Sequence, residues 1–274
     1  MNSRLHHLAA AASAAVLVLG VSACSGDDDK KADPDKSATP SASPDKPAKP
    51  ASAEQIALLK GIADAHAKAR SAHVVMTLGA AAQEIKATGD LKFGKQPDNT
   101  AMSVDVEMAA NKDYSLSMIL LDRALFLNLG QVTGNKYGEV DLDDKKDDTV
   151  AVQFTPLAQQ LDPKQQFTRF ANALSSVEKK GEPQEIDGVE TQPYEIVLDT
   201  KKIPGMEDQP KDAPKTVTYT LFIGPDQLVR RVTTGAKESK VQADYSQWDE
   251  PVKIKAPKSS QVSATALDQL RGGS

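Results

Sequence analysis

The chain has a single cysteine, Cys24, and it stands in LVLGVSACSGDDDKK, where an apolar run gives way to an acidic one. The small residues Val21, Ser22 and Ala23 ahead of it complete the spacing of a bacterial lipobox. A cysteine thiol is the one side chain in this stretch that, as thiolate, is nucleophilic enough to accept a diacylglycerol group. Cleavage before Cys24 would make it the first residue of the mature chain and its lipid attachment point. Other candidates for chemistry are sparse. Of four histidines, His6 and His7 precede that cleavage point, which leaves His66 and His73. With no second cysteine to join them they make no zinc site and are read as solvated surface residues. Ser43 to Lys46 and Ser176 to Lys179 match S-x-x-K, but the companion S-D-N and K-T-G motifs are missing. The run from Asp141 has some of the spacing of a calcium loop. Lys146, however, stands where the sharp turn needs glycine, and no glutamate closes the loop. There is no G-x-S-x-G and no phosphate-cradling glycine loop. No catalytic residue, metal site or cofactor is assigned, and the chain is read as a non-enzyme.

The elements that must position Cys24 are legible on both sides of it. Residues 1–23 carry one formal charge, Arg4, followed by an uncharged apolar run from Leu8 to Gly20 and a small-residue end. That run is shorter than the ~20 residues of a spanning helix and has the layout of an export signal. Residues 24–53 follow as a leash of Asp, Lys, Ser, Ala and Pro, which cannot bury surface and is expected to be disordered. As a flexible coil it would reach roughly 30 Å. The expected location is therefore the outer side of a cell membrane, held by the diacylglyceryl cysteine. With Cys24 consumed, no disulfide is available to the folded part, which must rely on its apolar core.

Loss of Arg4 with the leader leaves 32 basic residues against 38 acidic ones, a net charge of −6. Mild acidity argues against nucleic acid and against electrostatic docking on anionic lipid. Aromatics make up 4% of the chain and Trp248 is the only tryptophan, so a stacking platform for sugars or bases is not expected.

The body, residues 54–258, reads as one domain, with 259–274 as a C-terminal tail. Ser52 to Gln55 has the form of a capping box, and Ile56, Leu59, Ala63 and Ala67 continue at helical spacing to about Arg70. Period-two alternation follows in His73–Leu78, Ile85–Phe93, Ala101–Met108, Tyr114–Leu121 and Ala124–Leu129, with connections too short for parallel crossovers. Thr155-Pro156 and Asp162-Pro163 each predict a helix start. In the second helix Phe167, Phe170, Ala171 and Leu174 form one apolar face. Strands resume around the Asp187-Gly188 hairpin signal. They continue through Tyr194–Leu198, Val217–Ile223, Leu228–Thr233, Ser239–Tyr245 and Val252–Ala256, with a loop over Ile203–Pro214. The fold class is α+β: a large curved antiparallel sheet, a half-barrel, with helices packed on its concave face.

Taken in order, the lipobox and leash, the first helix, EIDGVETQPYEIVLD, LFIGPDQLVRRV and DYSQWDEPVKIKAP resemble the actinobacterial lipoproteins of the LppX/LprG type. Those are similar in fold to the periplasmic lipoprotein carriers of the LolA/LolB-like kind. The resemblance runs from Ser52 to Pro257. It implies an apolar cavity between sheet and helices that binds a lipid or lipidated glycan and carries or presents it in the envelope, with an envelope transporter as a further partner. The acidic run DLDDKKDD, Asp141 to Asp148, departs from that pattern.

The candidate cavity residues are Val104, Val106, Met108, Leu116, Met118, Leu120 and Leu127 of the first meander, Phe167, Phe170 and Leu174 of the helix, and Val217, Tyr219 and Leu221 of the second meander. By default each is core under the helices, because a filled core and a ligand wall both need apolar residues at period two. Methionines such as Met102, Met108 and Met118 suit either use. The rival reading is a non-enzymatic scaffold or regulatory lipoprotein with a filled core that binds envelope proteins.

Overall fold

The computed structural model describes residues 52–79, 84–94, 100–110, 115–143, 150, 171–203, 213–235 and 240–271. The order is helix α1 (Ala53–Lys68), then strands β1 (Ser71–Leu78), β2 (Ile85–Lys92), β3 (Ala101–Met108), β4 (Ser115–Leu121), β5 (Ala124–Asn128) and β6 (Gly138–Asp141). After these come β7 (Leu174–Lys179), β8 (Gln184–Ile186), β9 (Val189–Asp199), β10 (Thr216–Ile223), β11 (Val229–Thr234), β12 (Val241–Ser246) and a terminal turn of helix, α2 (Asp268–Arg271). All twelve strands join one open sheet in the order β6-β5-β4-β3-β2-β1-β12-β11-β10-β9-β7, with β8 paired to β9. Every pairing between these strands is antiparallel. The first meander therefore grows outward from β1, and the second starts at the far edge and returns to close against β1 through β12.

Local chemistry explains most boundaries. Gln55 N–H donates to Ser52 Oγ (3.3 Å) and Ser52 N–H to Gln55 Oε1 (2.8 Å), a reciprocal cap that starts α1. The side-chain Nε2 of Gln55 donates to Val177 O at 2.7 Å, which ties the helix start to edge strand β7. Lys68 in the last turn suits the negative end of the helix dipole. Asp187 and Gly188 have φ of 51° and 71°, so the β8–β9 hairpin turns in the left-handed conformation whose twist matches the strands. Asp122 and Arg123, at φ 50° and 64°, do the same between β4 and β5 without a glycine.

Several expectations need correction. Leu174 opens β7 and is not the last residue of a helix, which ends at Ala173. Its register partner is Leu198 of β9, so sheet pairing overrides the helical spacing that Leu174 shares with Ala171. Strands β6 and β7 were not anticipated: GEVD is very short, and LSSVEK has a weak alternation. Residues 252–256 run without regular secondary structure, because β12 already has β1 and β11 on its two sides. The two helix starts at Pro156 and Pro163, together with Phe167 and Phe170, lie outside the described residues.

The segment after Lys258, set apart as a tail in the sequence, is docked on the domain. Val262 bridges Tyr137, Tyr137 N–H donates to Gln261 O (2.8 Å) and Ser263 N–H to Tyr137 O (2.8 Å). Leu267 is fully buried in the apolar cluster of the first meander. Gly138 lies against it, and a Cβ there would run into the Leu267 side chain.

Candidate functional site

Register places alternate side chains of each successive strand on a common inner face. Across the first meander the face holds Met76, Ala87, Met102, Val104, Val106, Met118, Leu120, Leu125, Leu127 and Val140, joined by Leu142, Val150 and Leu267. Across the second it holds Val177, Ile196, Leu198, Tyr219, Leu221, Ile223, Val229 and Val232, joined by Leu59 of α1 and Ala173. The two clusters meet at Tyr245 of β12, which packs against both. The opposite face is polar, with Asp90 paired to His73 Nδ1 (2.8 Å), Ser117 donating to Asp105 (2.5 Å) and Arg231 paired to Asp244.

The sequence candidates divide by burial. Val104, Val106, Met118, Leu120 and Leu127 are sealed in the first cluster, with Met118 and Leu127 at 0% exposure, while Tyr219 and Leu221 are sealed in the second. Burial raises the Tyr219 phenol to about 12. A side chain with no exposure touches neither solvent nor an open void, so a ligand reaches it only by displacing a neighbour. Met108, Leu116, Leu174 and Val217 are half-buried.

Two of these fall at one end of the face, where register brings half-buried apolar side chains into a row: Met108 opposite Ile85, Ile85 opposite Leu78, and Leu78 opposite Val241. Leu116, opposite Val106 on β4, adjoins it. Five strands thus present aliphatic groups at a partly open margin.

The other end is closed by aromatic rings. Trp248 stacks on Tyr245 (centroids 5.9 Å) and Phe93 (6.1 Å) and meets His66 edge-on at 5.1 Å. This corrects the reading of both histidines as solvated surface groups. His66 is half-buried with Nδ1 at 2.8 Å from Ile62 O, and His73 is half-buried in its pair with Asp90. Burial holds the His66 pKa below its ordinary value and Arg230 pushes the same way, while the Ile62 carbonyl and Asp226 oppose them. Burial also raises the Tyr245 phenol. Beside this group, Arg230 is 8% exposed on β11, its Nη2 donating to Asp226 Oδ2 at 2.6 Å.

Sequence reasoning missed this corner. A signal was present in VRRV, where two consecutive arginines between valines break the period-two pattern. The structure has an irregularity there: Phe222 pairs Arg231 and Ile223 pairs Val229, so Arg230 is the unpaired extra residue. Of the acidic run, Asp141 Oδ1 accepts from Asp143 N–H (2.8 Å) and Asp143 pairs Arg123 (2.6 Å), an internally partnered turn; residues 144–148 lie outside the described residues.

An open, antiparallel, twelve-stranded sheet with one continuous apolar face defines an α+β domain in which that face is the candidate site. Among the described residues no helix is long and apolar enough to cross a membrane. The chain belongs to the LppX_LprAFG lipoprotein family, whose model matches residues 53–254. The structure is similar to that of LprF from Mycobacterium bovis, with a TM-score of 0.51 and 18% identity over 75% of this chain and 98% of that one, a likeness of fold. LppX from Mycobacterium tuberculosis is matched at TM-score 0.47 and 15% identity over 73% of this chain and 97% of that one. No curated protein matches the chain in sequence.

Proposed function

We propose that this lipoprotein is anchored through a diacylglyceryl Cys24 on the outer side of the cell membrane and binds an apolar ligand, a lipid or lipidated glycan, against the inner face of its sheet. Carriage or presentation of that ligand in the envelope, within reach of the leash and with a transporter as recipient, is the role this assigns. The observation that carries the reading is the half-buried aliphatic row Met108, Ile85, Leu78 and Val241, with Leu116 beside it, at one margin of the face. A soluble domain with no partner for such a row would gain by covering it.

Burial of several hundred Å² of ligand chain contributes on the order of 10 kcal/mol at ~25 cal/mol per Å², before ordering entropy is subtracted. Binding of that kind needs no polar constellation and no catalytic group, in keeping with a non-enzyme.

A second reading is favoured by a different observation. Met118, Leu127 and Val104 are as buried as a filled core requires, which suits a scaffold or regulatory lipoprotein that binds envelope proteins. Titration of the delipidated mature chain with an environment-sensitive acyl probe separates the two. Saturable binding that is weakened at least tenfold by Met108→Lys or Leu116→Lys supports the lipid reading. Absence of binding in a stably folded chain supports the scaffold.

A further inference from the structure

The closed end of the inner face holds two buried hydrogen-bond donors that have no acceptor among the described residues: Arg230 Nη1 and Trp248 Nε1. Buried donors left unpaired are uncommon and costly, most of all in a charged group. They are neighbours of one imidazole. Trp248 meets His66 at 5.1 Å between centroids, and Arg230 is near enough to His66 for its charge to act on it. Arg230 is also the residue next to the Arg231–Asp244 ladder pair, which sets it beside Tyr245, the side chain shared by the two apolar clusters. The irregularity in β11 inserts this extra residue between Val229 and Arg231, and such insertions re-aim side chains.

The charge balance favours an anion over a neutral acceptor. Asp226 takes only the Nη2 side of the guanidinium, its other oxygen accepts from Leu228 N–H (3.1 Å), and its side chain is 43% exposed, so its charge is partly given to solvent. His66 Nδ1 is engaged with Ile62 O. The buried edge of Arg230 therefore carries cationic donors that no carboxylate of the described chain meets. Carboxylates and phosphates both fit a guanidinium edge, and the single charge of a carboxylate balances that of Arg230 without bringing a second buried charge.

We propose that Arg230 and Trp248 form an acid-group site, and that the ligand it takes is a single-chain amphiphile with a terminal carboxylate, of the fatty-acid class. The chain takes the seam between the two clusters, from Tyr245 toward Val241, about 14 Å at ~3.4 Å per strand residue, by displacing side chains that now pack there, Met76 and Val232 among them, and leaves at the half-buried row. This rests on the lipid-binding reading above and specifies its polar end.

Calorimetric titration of the delipidated mature chain with oleate, methyl oleate and acetate tests it. Oleate is expected to bind at least tenfold more tightly than methyl oleate, acetate not measurably, and oleate alone to shift the emission of Trp248, the only tryptophan in the chain. Arg230→Met should weaken oleate at least tenfold and leave methyl oleate unchanged. Because that variant removes a buried ion pair, Trp248→Phe serves beside it, keeping an aromatic ring and deleting the donor, with a several-fold loss for oleate only. Equal affinity for oleate and methyl oleate, or unchanged oleate affinity in both variants, overturns the acid-group site alone. Tight acetate binding reassigns it to a free-anion site and overturns the amphiphile. Failure of both chains to bind overturns this inference together with the lipid reading.

Discussion

Leu267→Ala measures whether the C-terminal segment belongs to the folded domain. The side chain has 0% exposure, packs in the first apolar cluster and lies against Gly138 of β6. Truncation removes its burial and leaves a space that the surrounding strands fill only partly, and such changes cost about 2–5 kcal/mol. The β6 backbone approaches closely here and gives the cavity little room to collapse, so the expected loss is about 3 kcal/mol. At roughly 2–4 °C per kcal/mol for a domain of this size, the melting temperature should fall by about 6–12 °C. Urea denaturation followed by circular dichroism gives the free energy directly, with Ile56→Ala as control. Ile56 is 52% exposed on α1, and its truncation should change stability by less than ~0.5 kcal/mol. Gly138→Ala should act in the same direction as Leu267→Ala, because the new methyl group displaces the same side chain. If Leu267→Ala proves as mild as the control, the segment is not docked and the burial argument fails.

Two further outcomes follow from the closed end of the sheet. Burial holds His66 neutral in the folded chain, with its pKa below the ordinary 6.5. The unfolded chain therefore binds the proton first as pH falls. The contribution is complete above about pH 6.5 and is lost as pH drops below it, levelling once the folded histidine itself titrates. Urea midpoints at pH 7.5 and 5 should differ less in His66→Asn than in the parent; an unchanged difference refutes the assignment. Asp226→Asn keeps an acceptor for Leu228 N–H but leaves Arg230 without its counter-charge. The expected loss is about 2 kcal/mol, below the 3–5 kcal/mol of a fully buried pair because Asp226 is 43% exposed. A loss under ~0.5 kcal/mol in the same assay contradicts a buried, dependent Arg230.

Strands with strict alternation were legible in the sequence. Val104 and Val106 against Asp105 and Glu107, and Leu116, Met118 and Leu120 against Ser115 and Ser117, fixed β3 and β4 closely because one face is apolar and the other wet. Asp187-Gly188 and the Ser52–Gln55 cap carried their own local chemistry. What failed was decided by tertiary contact. Leu174 satisfies a helical spacing and a strand pairing equally well, and β9 decides between them. Val252 to Ala256 has strand composition, but the flanks of β12 are already taken.

The candidate site was legible as a set of apolar residues and not as a division between sealed and half-buried ones. That division depends on what covers each side chain, which period two does not encode. Leu78, Ile85 and Val241 were missed as candidates because each stands at a strand end, where composition does not say whether a neighbour covers it. Arg230 and Trp248 were missed because their meaning comes from an inserted residue in β11 and from rings that meet across distant segments.

The central claim, that the inner face takes up a lipid, is tested most directly by mass spectrometry of organic extracts. The mature chain would be purified from an actinobacterial host alongside a Met108→Lys, Leu116→Lys variant. The account predicts a stoichiometric lipid in the parent and its loss from the folded variant; a parent that is fully folded and carries no lipid would contradict it.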